Sequence, residues 1–172
     1  MENKKTLEKE KTLVLIKPDG VQRGLIGEII TRFERAGLKI IGMKMVWIEK
    51  DFAKKHYRED IAQKHGERVR NELIKYIREG PVIAMVLEGV DAINVTRKIV
   101  GSTYPNESQP GTIRGDFTHI SKSFANSNEI AVRNLIHASG NQEDAKIEIP
   151  LWFTEKELHS YKTAHDIICF EK

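Results

Sequence analysis

Six consecutive apolar residues, Val82-Ile83-Ala84-Met85-Val86-Leu87, follow directly on Gly80-Pro81. A run this short is far from a membrane span and reads as a central strand buried on both faces. Around it the apolar residues change period. Thr12–Ile16 predicts a β-branched strand that stops at Lys17-Pro18-Asp19-Gly20, because proline removes a ladder donor and Asp-Gly favours a turn. Leu25, Ile26, Ile29, Ile30 and Phe33 recur with helical spacing, and Gly37 fits the left-handed position after that helix. Residues 38–48 predict a second strand. Asp51 is expected to cap a short helix through Tyr57, and Val69, Leu73, Tyr76 and Ile77 mark another that Gly80-Pro81 ends.

Beyond the central strand, Asp91 is the expected cap of a helix carrying Ile93, Thr96 and Val100 inward, with Arg97 near its end. From Gly101 to Phe117 no apolar periodicity is visible, and residues 118–128 form a second polar stretch that reads as a surface insertion. Structureless loops of that length in a compact domain are usually functional or disordered. Leu135, Ile136 and Ala138 then predict a short buried strand that also contains His137. A helix from about Gln142 to Ile149, ended by Pro150, comes next. Thr154 and Glu157 predict a capping box for a final helix, with residues 167–170 folding the tail back onto the body. This order fits an α+β sandwich with a ferredoxin-like βαββαβ core, a four-stranded antiparallel sheet covered by helices on one face. Residues 1–11 read as a frayed polar extension, and 12–172 as a single domain.

Composition narrows the setting. A net charge of +3 without a long Lys/Arg run argues against a nucleic-acid grip, so any anion site must be local. The single cysteine, Cys169, forms no internal disulfide, and the first eleven residues lack the apolar core of a secretory signal. The expected location is cytoplasmic, with no membrane partner.

A histidine is an odd choice for a buried strand. On a rigid strand at the mouth of the Gly140-Asn141 turn, His137 is placed to act as nucleophile or general base; a core histidine satisfied by its neighbours is the alternative. Asn134 and Ser139 flank it with hydrogen-bonding groups. A nucleophilic imidazole needs an orienting partner and nearby cations. Glu148, on the following helix, is the candidate orienter, although a solvated helix glutamate reads the same way. Lys17, Arg97 and Arg114 are the candidate cations, each individually compatible with a surface charge. Gly20–Gly24 lacks a Walker ending, and His56, His65, His119, His159 and His165 lack partners at ligand spacing, so these five are expected to be structural or surface residues.

Three ordered segments carry a resemblance. Lys17-Pro18-Asp19-Gly20-Val21-Gln22-Arg23-Gly24, Pro110-Gly111-Thr112-Ile113-Arg114-Gly115-Asp116-Phe117 and Asn134-Leu135-Ile136-His137-Ala138-Ser139 resemble the signatures of nucleoside diphosphate kinases, with similarity from about Thr12 to Phe170. The resemblance implies ping-pong transfer of the γ-phosphate of a nucleoside triphosphate, typically ATP, to a nucleoside diphosphate through a phosphohistidine. It implies His137 as the nucleophile through Nδ1, with Glu148 supporting the ring and Lys17 assisting. Lys17, Tyr57, Val69, Arg97, Thr103, Arg114 and Asn134 would hold the nucleotide, with Mg²⁺ carried by the nucleotide phosphates and no protein metal ligand. A homo-oligomer, hexamer or tetramer, is expected, with nucleoside tri- and diphosphates as partners and no nucleic acid required. Ser139 matches the family's hydroxyl beside the histidine. Val69 departs from the family's stacking phenylalanine, the 62–68 segment is slightly longer than usual, Gly140-Asn141 departs after Ser139, and 118–128 has no counterpart in shorter members. Two other readings compete: a non-enzymatic nucleic-acid-binding module, which lacks sheet aromatics and an RNP-like motif, and a family-like regulator without catalysis.

Overall fold

A computed structural model describes residues 9–170. Its elements run β1 (Glu10–Ile16), α1 (Pro18–Gln22), α2 (Ile26–Arg35), β2 (Lys39–Val46), α3 (Lys50–His56), α4 (Glu59–His65), α5 (Glu67–Tyr76) and β3 (Val82–Gly89). There follow α6 (Ala92–Val100), a 3₁₀ turn (Pro105–Glu107), α7 (Ile113–Phe117), α8 (Lys122–Ser127), β4 (Ile136–Ala138), α9 (Gln142–Trp152), a second 3₁₀ turn (Glu155–Glu157) and α10 (Ala164–Phe170). The strands form one sheet in the order β2-β3-β1-β4, and every neighbouring pair is antiparallel. The expected ferredoxin-like sheet is therefore present.

The apolar run behaves as its composition requires. Five of the six residues from Val82 to Leu87 are wholly buried, and Ile83 is 6% exposed, because both faces of β3 are covered. Helices on one face alone would leave half of this strand in water, so that expectation is corrected. On one face Val14, Ile16, Ile83, Met85 and Leu87 meet Ile29 and Phe33 of α2 and Ala92 and Val100 of α6. On the other, Leu13, Leu15, Val82, Ala84 and Val86 meet Ala53 of α3, Ile74 of α5 and Trp152 of α9. Burial of each such side chain stabilises the fold by about 1.5–3 kcal/mol. Register fixes the consequence for function: His137 pairs with Leu15, so it projects toward the α3–α5–α9 layer.

Several boundaries moved for identifiable reasons. β1 begins at Glu10, where Glu10 and Lys11 pair with Gly89 and Glu88, and Lys9 precedes it outside regular structure; residues 1–8 of the expected extension lie outside the described residues. Lys17-Pro18-Asp19-Gly20 starts a short helix instead of a turn, with proline at the first helical position, where its missing N–H costs nothing. Gly37 takes the expected left-handed conformation at φ 79°. Asp51 lies in the first turn of α3, and Glu49 occupies the cap position. Asp91 sits at the α6 cap position with φ 49° and makes no side-chain cap; the Glu10 carboxylate accepts from the Ile93 amide instead, at 3.3 Å. Residues 59–76 form two helices broken at Gly66, whose φ of 92° suits a residue without a Cβ.

The long polar stretches also acquire structure. Thr112 caps α7 by accepting from the Gly115 amide at 3.0 Å, and Ser121 caps α8 through the Phe124 amide at 3.1 Å. α9 passes through Pro150 to Trp152. The Thr154–Glu157 capping box closes only a 3₁₀ turn. Asp166 is the buried residue of α10, whereas Ile167, Ile168 and Phe170 stay exposed, so the tail is held by ions rather than by apolar packing. Asp166 meets Lys9 and, at 3.4 Å, Lys39.

Candidate active site

The approach to His137 begins with an unusual piece of backbone. Leu135 has φ 67°, and the Ile136 amide donates to the Asn134 carbonyl at 2.7 Å across it, which closes a γ-turn of the strained, positive-φ kind. A branched residue in this region costs about 1–3 kcal/mol and persists only when its surroundings hold it. Here the Leu135 amide donates to Asp19 Oδ2 at 3.2 Å, and its carbonyl accepts from the Lys17 amide at 2.8 Å. The Leu135 side chain is wholly buried. The turn throws Asn134 to one side and starts β4 on the other.

His137 is oriented by the partner that its sequence position suggested. Its Nε2 lies 2.9 Å from Oε1 of Glu148, on α9. Ser139 Oγ donates to the second carboxylate oxygen at 2.6 Å while accepting from the Leu13 amide at 3.2 Å. Burial pushes the Glu148 carboxyl up, but the His137 ring, His56 and the Ser139 hydroxyl outweigh it and hold the group at about 2. Glu148 is therefore a carboxylate at neutral pH. Its contact with Nε2 leaves Nδ1 as the ring nitrogen with a lone pair to use.

His56 joins this group, against the expectation that it is merely structural. Its ring stands 4.7 Å from that of His137 at 87°, and its Nδ1 accepts from Trp152 Nε1 at 3.3 Å. Burial, reinforced by His137, drives it down to about 3, so it remains neutral. The signal was absent from the sequence because residues 56, 137 and 152 are brought together only by α3 and α9 packing on the same sheet face. Tyr57, beside His56, is buried with its hydroxyl unpartnered, and burial raises its ionisation above the ordinary value. A buried phenol without a partner costs free energy that an anionic ligand's oxygen would recover.

The cations lie on the other side of the γ-turn. Lys17 Nζ donates to Asn134 Oδ1 at 2.7 Å, and Asn134 Nδ2 donates to the Thr103 carbonyl at 2.8 Å. Burial, with Arg114 and Arg133 nearby, lowers Lys17 to about 7 despite the opposing pull of Asp19. Arg114 donates to the carbonyls of Asn134 (3.1 Å), Ile136 (2.6 Å), Ser102 (2.9 Å) and Gly101 (3.3 Å). Burial and the charge of Arg97 lower it to about 10. Arg97 is exposed at the end of α6 and turned toward Gly140. Such buried and crowded positive charge calls for an anion.

Eight of the nine expected site residues thus lie together: His137 and Glu148, Lys17, Asn134, Arg114, Arg97 and the Thr103 backbone, and Tyr57 with its unpartnered hydroxyl within electrostatic reach of Glu148 and Arg114. Val69 lies half-buried in the first turns of α5, next in the chain to Arg70, whose Nε donates to the Tyr57 carbonyl at 2.8 Å. Asn141, a departure from the expected pattern, caps α9 by accepting from the Asp144 amide at 2.8 Å. Asp19, which holds the Leu135 amide, Tyr76, whose hydroxyl donates to Asp19, and His56, stacked edge-on against His137, adjoin the group without having stood out as site residues in the sequence. Among the described residues, the one cluster of metal-ligating side chains is His56–His137–Glu148. It offers a single, already bonded carboxylate and no set of free oxygens of the kind Mg²⁺ demands.

An imidazole with a carboxylate on one nitrogen and crowded cations opposite makes a site suited to a phosphate-bearing ligand. The comparisons agree. The chain matches the family model for nucleoside diphosphate kinase over residues 10–158. It is 51% identical over 160 residues to the nucleoside diphosphate kinase of Pyrococcus abyssi (92% of this chain, 93% of that protein) and 49% over 154 residues to that of Borreliella burgdorferi (89% and 92%). Among solved structures it is similar to a transition-state mimic of the Borrelia burgdorferi nucleoside-diphosphate kinase with bound vanadate and ADP, at TM-score 0.91 and 48% identity, covering 92% of this chain and 95% of that one. A Halobacterium salinarum nucleoside diphosphate kinase in complex with CDP aligns at TM-score 0.78 and 39% identity, covering 92% and 97%. The chain belongs to the nucleoside diphosphate kinase family.

Proposed function

We propose that the chain moves the γ-phosphate of a nucleoside triphosphate, typically ATP, to a nucleoside diphosphate in two half-reactions, with His137 carrying the phosphoryl group between them. The observation that carries this reading is the division of labour on the imidazole: Glu148 occupies Nε2 and so reserves Nδ1 for attack. Nδ1 attacks the γ-phosphorus, the bond to the β-phosphate oxygen breaks, and the nucleoside diphosphate leaves. The ring then bears positive charge that the Glu148 carboxylate neutralises, and Ser139 keeps that carboxylate in place. A second diphosphate reverses the sequence from the same position, which is why one small site serves donor and acceptor.

Lys17, Arg97 and Arg114 supply charge for the transferring phosphates, Asn134 and Thr103 fix the surface they rest on, and the unpartnered Tyr57 hydroxyl supplies a donor. Val69 would meet the base with little flat area, so the site is read as tolerant of base identity. Mg²⁺, carried on the nucleotide's own phosphates, would offset their charge. Vanadate with ADP in the Borrelia structure, and CDP in the Halobacterium one, support the same ligand class here.

The domain is read as one unit over residues 12–172. A homo-oligomer, hexameric or tetrameric, is supported by Met43 and Met45 on edge strand β2 and Trp47 beyond it, each more than half exposed. The free, exposed Cys169 suits a reducing cytoplasmic setting. Among the described residues no helix is long and apolar enough to cross a membrane. Initial rates at several fixed diphosphate concentrations test the two-step reading. Parallel double-reciprocal lines are expected, and intersecting lines would replace it with direct transfer in a ternary complex.

A further inference from the structure

Tyr76, the last residue of α5, is 1% exposed yet carries a hydroxyl that is bonded within the site. Its Oη donates to Asp19 Oδ1 at 2.5 Å, and the other oxygen of that carboxylate holds the Leu135 amide of the γ-turn. Its ring meets two cations: Lys17 Nζ lies 5.1 Å from the centroid and the Arg133 guanidinium carbon 4.5 Å. We propose that Tyr76 is a positioning residue with two separable actions. The ring face keeps Lys17 charged and in place, and the hydroxyl, through Asp19, braces the turn that presents Asn134 and His137. This rests on the reading of Lys17 as a phosphate-holding cation.

Lys17 is an ammonium under pressure, so a modest contact decides its state. Asp19 on α1 favours its charge; burial, Arg114 on α7 and Arg133 ahead of β4 oppose it. A ring face worth a fraction of a pH unit is then visible near neutrality, where it would be invisible for an ordinary lysine. The hydroxyl is a durable donor, since burial and the Asp19 carboxylate both raise its ionisation well above the usual phenol.

The test separates ring from hydroxyl without changing shape. Tyr76→Phe keeps the ring and removes the donor; a trifluorinated phenylalanine placed at the same position keeps the outline and cancels most of the ring's negative face. The pH dependence of kcat/KM, which reports free-enzyme ionisations, is measured for wild type and both variants, with thermal melts alongside. Wild type should lose kcat/KM as pH rises through about 7. Tyr76→Phe should leave that limb in place and lower kcat about tenfold. The fluorinated ring should move the limb about half a pH unit lower. Coincident limbs for the two rings overturn the first action, and an unchanged kcat in Tyr76→Phe overturns the second. A wild-type protein without nucleotide phosphotransfer would instead defeat the underlying reading, so the two failures are distinguishable.

Discussion

Replacing Glu148 by glutamine isolates what its charge contributes. The amide can still accept at the His137 Nε2–H position and can donate to Ser139 Oγ, whose second lone pair is available beside the Leu13 amide, so the geometry survives. What disappears is a full negative charge 2.9 Å from the ring that becomes cationic on phosphorylation. Opposite charges about 4 Å apart interact by about 1 kcal/mol in water and about 4 kcal/mol at a protein-like dielectric. With side-chain exposures of 23% for His137 and 13% for Glu148, the pair lies between those limits. A loss of about 2 kcal/mol corresponds to about 30-fold in the rate of phosphoenzyme formation. Glu148→Ala should cost more, about 100-fold, because it also frees the ring to rotate and strands the Ser139 hydroxyl. Rapid-quench labelling with γ-labelled ATP measures the step directly. Nucleotide affinity should be nearly unchanged, since the carboxylate's hydrogen bonds go to His137 and Ser139. Because Glu148 is held at about 2, no limb of the pH profile near neutrality belongs to it. Its depressed ionisation adds stability that is present above the ordinary carboxylate value and is lost as pH falls toward 2. A glutamine variant that forms phosphoenzyme at the wild-type rate would refute the charge argument.

Arg114→Lys replaces four bonds to backbone carbonyls with one point charge, so calorimetry should show a Tm lower by about 5 °C and kinetics a kcat/KM lower by at least about tenfold; an unshifted melt would contradict the bracing role. Gly115→Ala would set a Cβ 2.1 Å from the Gln109 carbonyl oxygen. Because that neighbour is backbone, the 109–112 turn must move, and the urea midpoint should fall by the equivalent of about 1–3 kcal/mol. Met45→Glu on the open edge of β2 should lower the sedimenting mass if that edge joins subunits; an unchanged mass would place the contact elsewhere.

What the sequence made legible were features with a period or a fixed chemistry. The run from Val82 to Leu87, the helix of Ile29 and Phe33, and the left-handed Gly37 appear where their residues put them. His137 with Glu148 was legible because strand and helix are consecutive, so the helix's return brings the two within reach. The γ-turn was not, since leucine is a poor residue for φ 67° and only Asp19, Lys17 and Arg114 make it tenable. Helices α4, α7 and α8 were hidden because each is short and polar and depends on caps or neighbours, as Thr112 and Ser121 show. His56 and Tyr76 reach the site only by tertiary packing, 81 and 61 residues from His137 in the chain. No local pattern encodes that.

The central claim is that the phosphoryl group rests on one nitrogen of one side chain. Protein incubated with ATP and magnesium, then examined by ³¹P NMR and by mapping of the label, decides it. The account predicts an acid-labile, alkali-stable phosphoramidate on Nδ1 of His137 that a nucleoside diphosphate discharges, and no label or turnover in His137→Ala. Label on any other residue, or phosphotransfer that survives His137→Ala, would contradict it.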